Sequence, residues 1–204
     1  RPAFTFQSEN DAYPSWGDDD YTNGLRLSLD YSRAILWGRW WSRHDDCRNV
    51  LAGTAPCRRT TLILGQNFYT PHNITISEVQ PDERPYSAWL YIGMAAQLAT
   101  DRRLRSVELQ LGTTGRPALG EEVQSWWHAR PWVEAPQPMG WAHQVRTVPG
   151  LVGVIAMWDD KFAFEAKTGG SDGFVFADAI PYYRLTVGNV HDSVAAGTTV
   201  RLGY

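Results

Sequence analysis

The sequence predicts an all-β fold: an antiparallel, up-and-down transmembrane β-barrel. Three observations carry this. Successive segments alternate apolar and polar residues with period two. One such run, 86–100, is far longer than the five or six residues usual for a soluble strand. No stretch of 18 apolar residues occurs, so a membrane helix is excluded while membrane strands are not.

Nine strand segments are expected, at 3–9, 24–32, 60–69, 86–99, 104–113, 143–158, 161–168, 174–188 and 197–204. The clearest is the second. Leu25, Leu27, Leu29 and Tyr31 form one face, and Arg26, Ser28, Asp30 and Ser32 the other. In the fifth, Val107, Leu109 and Leu111 alternate with Ser106, Glu108, Gln110 and Gly112. In the fourth, Ala88, Leu90, Ile92, Met94, Ala96 and Leu98 share a face. Aromatics near strand ends, including Tyr31, Tyr69, Tyr86, Trp158 and Tyr182, favour membrane girdles over a soluble sandwich or lipocalin-like barrel.

A simple meander puts connections 10–23, 70–85, 114–142 and 169–173 on one rim. It puts 33–59, 100–103, 159–160 and 189–196 on the other. The longer set is expected to face outwards from the cell, with 33–59 as a periplasmic insertion. One helix is expected, over 117–129. Pro117 suits its first turn, Glu121 and Glu122 follow early, and Pro131 ends it. Glu121, Gln124 and His128 fall near one face, and Leu119, Val123 and Trp126 or Trp127 form the other.

The chain of 204 residues fits a single domain, 1–204. Its 19 Lys and Arg against 22 Asp and Glu give no support to nucleic-acid binding. Cys47 and Cys57 suit a local disulfide in an oxidising compartment.

Two features suggest chemistry. Asn10-Asp11 and Asp18-Asp19-Asp20-Tyr21-Thr22-Asn23-Gly24 concentrate the hard oxygen donors that calcium prefers. A solvated acidic turn would read the same. His128 has the titration range of a general base, and Gln124 lies one turn before it. If the long loops share a rim, His128 and Asn10-Asp11 share it too. A bound cation could then hold an oxyanion while a histidine activates water. Arg84 on the same rim could bind a phosphate. Gly169-Gly170-Ser171-Asp172-Gly173 matches a serine-elbow pattern, but it joins two strands and reads as a hairpin. His191 has no evident partner.

Several ordered blocks resemble one family. Phe6-Gln7-Ser8-Glu9-Asn10-Asp11 with Asp20-Tyr21-Thr22-Asn23-Gly24-Leu25 resembles the opening of the outer-membrane lipid A 3'-O-deacylases, the LpxR family. Gly65-Gln66-Asn67-Phe68-Tyr69-Thr70-Pro71 and Arg84-Pro85-Tyr86-Ser87-Ala88-Trp89-Leu90-Tyr91 follow in order. Thr114-Gly115-Arg116-Pro117-Ala118-Leu119-Gly120, with Gln124 and His128, resembles its helix motif, and Gly140-Trp141-Ala142-His143-Gln144 fits as well.

The resemblance implies a twelve-stranded barrel in the bacterial outer membrane, with its C-terminal strands missing from this chain and its active site towards the cell surface. It implies calcium-dependent hydrolysis of the ester-linked 3' acyl group of lipid A, by a monomer acting on lipopolysaccharide among outer-membrane lipids. His128 would be the base and Gln124 its neighbour in the site. Asn10 and Asp11 would lie at or near the calcium, and Thr22 would line the pocket. A family lysine expected in the 72–80 stretch has no counterpart here, so Arg84 or Arg116 would contact the headgroup instead. A non-catalytic barrel and a serine esterase using Ser171 are the rival readings.

Overall fold

The computed structural model of the chain describes residues 2–10, 23–31, 57–100, 103–159, 165–170 and 173–203. Nine strands form one antiparallel sheet: β1 (Ala3–Asn10), β2 (Asn23–Tyr31), β3 (Cys57–Tyr69), β4 (Ser87–Ala99), β5 (Arg103–Thr114), β6 (Pro149–Asp159), β7 (Glu165–Gly170), β8 (Gly173–Gly188) and β9 (Ser193–Gly203). Strands β1 to β6 pair in sequence order. Both β6 and β7 then pair with β8, and β9 takes the other side of β8.

That last arrangement corrects the expected rims. β6 pairs with the C-terminal half of β8 and β7 with its N-terminal half. β7 therefore continues β6 in the same direction. The β7–β8 hairpin, closed by the Gly170–Gly173 pair, falls on the rim opposite the expected one. The short 189–192 connection moves to the rim that carries 70–86 and 115–148. Asn189 fixes it there, donating to the Pro149 carbonyl at 3.0 Å and accepting from the Leu151 amide at 2.8 Å.

The sheet is strongly curled. Arg26 on β2 reaches Glu108 on β5 through two hydrogen bonds of 3.0 and 2.8 Å. Their strands lie three strand spacings apart, about 14 Å along the sheet, so the two side chains share a concave side. Gln110 donates to Glu108 at 2.7 Å, and the Trp89 indole donates to Gln110 at 3.2 Å. Ile63, Trp89, Tyr91, Ala95, Val152 and Val154 are buried around them. Tyr91 lies over Gly65, where a Cβ would sit 2.2 Å from its ring; only glycine leaves that space.

The convex side is a wall of exposed apolar residues, among them Leu62, Leu64, Ile92, Val107, Leu109, Leu111, Leu151, Ile155, Leu185 and Val187. Its lower limit is the row Arg58, Leu98, Arg105, Met157 and Tyr183. Its upper limit is the row Gln66, Leu90, Thr113 and Pro149. Eight residues separate the rows on β3. At the strand rise this is about 27 Å, or about 21 Å along the normal for a tilt of ~40°. That height matches the apolar band of an outer-membrane barrel, about 25 Å.

Two further expectations are corrected. Residues 143–148 are not strand: Trp141–His143 form a 3-10 turn, and the Val145 amide bonds the Tyr86 carbonyl at 2.9 Å. The helix begins later than Pro117. Arg116–Ala118 are a separate 3-10 turn, Leu119 adopts a left-handed conformation at φ 57, and α1 runs over Gly120–His128. Cys57 is buried and disulfide-bonded; Cys47 lies outside the described residues, as does most of the 33–59 segment.

Candidate active site

Among the described residues, protein covers the rim end of the convex wall. On β3 the outward residues run Leu62, Leu64, Gln66, Phe68. The first two are exposed and the last two buried. Phe68, Ile74, Tyr86, Ala88, Ala118 and Trp141 form a second apolar cluster there, with Leu25, Leu90 and Val123 packed against it. The cover is held by specific bonds. The Gln66 amide donates to the Ala118 carbonyl at 2.6 Å, and the Tyr86 hydroxyl to the Ile74 carbonyl at 3.0 Å. Gly120 lets α1 press down: a Cβ there would sit 2.3 Å from Trp141 and 2.8 Å from Ala88.

α1 therefore starts on the outside of the curl, at Ala88, one row above the apolar band; Gln124 is tied to that cover through Trp141, and His128 follows one helical turn later. Gln124 is 7% exposed. Its Oε1 accepts from the Trp141 indole N–H at 2.8 Å, while its buried Nε2 has no hydrogen-bond partner among the described residues. His128 is half-buried, and its Nδ1 lies 2.5 Å from the Pro136 carbonyl oxygen. A carbonyl only accepts, so Nδ1 carries the proton and a neutral ring leaves Nε2 as the acceptor. Of the expected apolar helix face, Val123 packs on the cluster and Leu119 is exposed. Trp126 and Trp127 are exposed, and Gly120 and Gln124 face the wall.

Asn10 ends β1 at this rim, in the register row Asn10, Asn23, Phe68, Ala88. That row runs into the cluster under α1. Asn23 Oδ1 is buried and has no hydrogen-bond partner among the described residues. An orphaned amide oxygen beside the Asn10 position is a hard donor of the kind calcium takes, so the residues fit such an ion. Asp11 and Thr22 lie outside the described residues. Among the described residues no group of three or more His, Cys, Asp or Glu could hold a metal.

The two arginines sit differently. Arg84 is exposed at the rim with its guanidinium 4.4 Å from the Tyr69 ring centre. Arg116 is exposed in the 3-10 turn that leads into α1. His191, on the relocated 189–192 connection, has its pKa lowered by partial desolvation and by the charges of Arg184 and Arg84. Sequence reasoning counted Asn23 among the oxygen donors of its loop but gave no role to Gln66 or Trp141. Gln66 had a signal: a polar residue interrupting an apolar row.

The fold and this site define an outer-membrane type of β-barrel wall that carries a helix-capped polar site on its lipid side. The family model for the outer membrane protein LpxR matches residues 1–204, and the chain belongs to that family. Among solved structures, LpxR from Salmonella typhimurium matches with a TM-score of 0.61 and 22% identity. The match covers 90% of this chain and 53% of the other, so the chain spans about half that protein's length. At that identity the likeness shows the fold. No curated protein matches the chain.

Proposed function

We propose that this wall is the working part of a lipid A deacylase that hydrolyses an ester-linked 3' acyl group. The carrying observation is the seat of the helix that bears Gln124 and His128: α1 starts against Ala88 on the convex side, one row above the apolar band. A bilayer lipid presents its ester linkages at that depth, where the acyl chains meet the headgroup. Family membership supports the substrate class.

In this reading His128 Nε2 accepts a proton from water as the water oxygen attacks the ester carbonyl carbon. The Nδ1–H bond to the Pro136 carbonyl keeps the tautomer that makes this possible and steadies the imidazolium. When the tetrahedral centre collapses, the same proton passes to the departing sugar oxygen, leaving a free fatty acid and a hydroxyl. Gln124 Nε2, held by Trp141 through the other end of the amide, is enclosed against the wall; an ester seated beneath α1 would bring its carbonyl oxygen to those N–H donors. Calcium, held by Asn10 and Asp11 with Asn23 as a further oxygen donor, would supply positive charge at that oxygen. Thr22 would line the pocket, and Arg84 or Arg116 would meet the headgroup phosphates, with the site towards the cell surface.

A pore is disfavoured by the concave side, which Arg26, Glu108, Gln110, Trp89 and Tyr91 fill. A serine mechanism at Ser171 is disfavoured by the hairpin's position on the rim away from α1. Reaction in water enriched in heavy oxygen tests the chemistry. The label is expected in the released fatty acid; an unlabelled acid would contradict attack by water.

A further inference from the structure

We infer that Trp126, Trp127 and Trp132, with Arg130, form a docking surface for the outer-leaflet lipid interface, which holds the end of α1 in the membrane beside the site. These tryptophans are 57%, 49% and 70% exposed. At 100° per residue, Trp126 points about 200° from the wall-facing Gln124, while Trp127 and His128 flank Gln124 at about 60° and about 40° on opposite sides. Trp126 thus points away from the wall, and Trp127 lies on the flank of α1 opposite His128.

Two independent observations identify the occupant as lipid. The first is continuity. α1 lies on the convex wall directly above the row Gln66, Leu90, Thr113 and Pro149 that ends the apolar band. Exposed indoles on and just after a helix seated at that edge would stand in the headgroup layer, where their amphipathic rings are favoured. The second is the placement of charge. The Arg130 guanidinium stacks over Trp126 at 4.2 Å, and its Nε donates to the Trp126 carbonyl at 3.1 Å. No ion pair of Arg130 occurs among the described residues, and the helix's acidic residues Glu121 and Glu122 sit at its other end. A cation over an indole, at the level of lipid phosphates, suits an interface with both an apolar and an anionic layer.

The test reads no catalysis, so it stands or falls apart from the deacylase reading. The protein is placed in phosphatidylcholine vesicles, with and without lipopolysaccharide, beside Trp126→Phe/Trp127→Phe/Trp132→Phe. The difference in emission isolates the three indoles. Lipids brominated near the top of their acyl chains are expected to quench roughly half or more of that difference, with iodide in the water quenching little. Phenylalanine keeps the bulk, and heat-modifiable gel mobility checks that the barrel folds. Efficient iodide quenching with silent bromolipids would overturn the proposal. Shielding from both quenchers would mean that protein covers the ridge, and would overturn it too. Arg130→Gln, which keeps all three indoles, is expected to raise iodide access; unchanged access would remove the arginine from the surface.

Discussion

The indole N–H of Trp141 donates to Gln124 Oε1 at 2.8 Å, and both side chains are buried. This single bond decides which way the Gln124 amide points. With its oxygen engaged, its nitrogen is the end left for the site. Trp141→Phe keeps the ring packing and deletes the donor. Unsatisfying a buried carbonyl costs about 1–3 kcal/mol. Deacylation kinetics are expected to show kcat falling about tenfold, the equivalent of ~1.4 kcal/mol, with KM nearly unchanged. A KM-only effect would mean that the bond serves binding instead.

The close seat of α1 predicts a second sensitivity. Gly120→Ala places a methyl 2.3 Å from Trp141 and 2.8 Å from Ala88. Overpacking of this kind costs about 1–3 kcal/mol. The helix should lift, taking Gln124 and His128 with it. Urea unfolding in detergent should show the stability loss, and activity should fall further than the loss of folded protein explains.

On the concave side, Arg26 and Glu108 are joined by two hydrogen bonds, and Glu108 is almost fully enclosed. Glu108→Leu strands the arginine charge. Breaking such a pair from one side costs about 3–5 kcal/mol. The midpoint of urea unfolding should drop sharply while His128 and its surroundings stay intact in the folded fraction. A near-neutral result would mean that Arg26 finds another partner.

His191 gives the rim a pH dependence with a definite sign. Desolvation and the nearby Arg184 and Arg84 lower its pKa in the folded chain. As pH falls, the unfolded chain therefore takes up this proton first. Stability is constant in this respect above the ordinary imidazole value of about 6.5 and declines below it. His191→Gln should flatten the acid side of the stability–pH curve. An equally steep curve in the variant would assign the acid loss to other groups.

The strands were legible because a wall between lipid and a packed interior enforces strict alternation. Leu25, Leu27 and Leu29, or Val107, Leu109 and Leu111, announce their face without any partner. Rim assignment failed where alternation carries no information. β7 runs in the same direction as β6 along β8, so the two later connections change rim. The helix face was misread because Trp126 and Trp127 look like core. In a protein that faces lipid, exposed indoles are at home. Pro117 did mark a turn onset, but Leu119 in its left-handed conformation divides that turn from α1. For the site, Gln124 and His128 were legible from helical spacing. The Trp141 bond and the orphaned Asn23 oxygen depend on long-range packing that no local pattern encodes.

In the proposed reaction His128, on the lipid side of this wall, removes a 3' acyl group from lipid A with the help of calcium. Mass spectrometry of lipid A after incubation with the protein in detergent tests it most directly, comparing wild type with calcium, wild type with chelator, and His128→Ala with calcium. The account predicts loss of one 3'-linked acyl group in the first sample alone. An unchanged spectrum there, with the barrel folded and calcium present, would contradict it; so would an undiminished reaction in the His128→Ala sample.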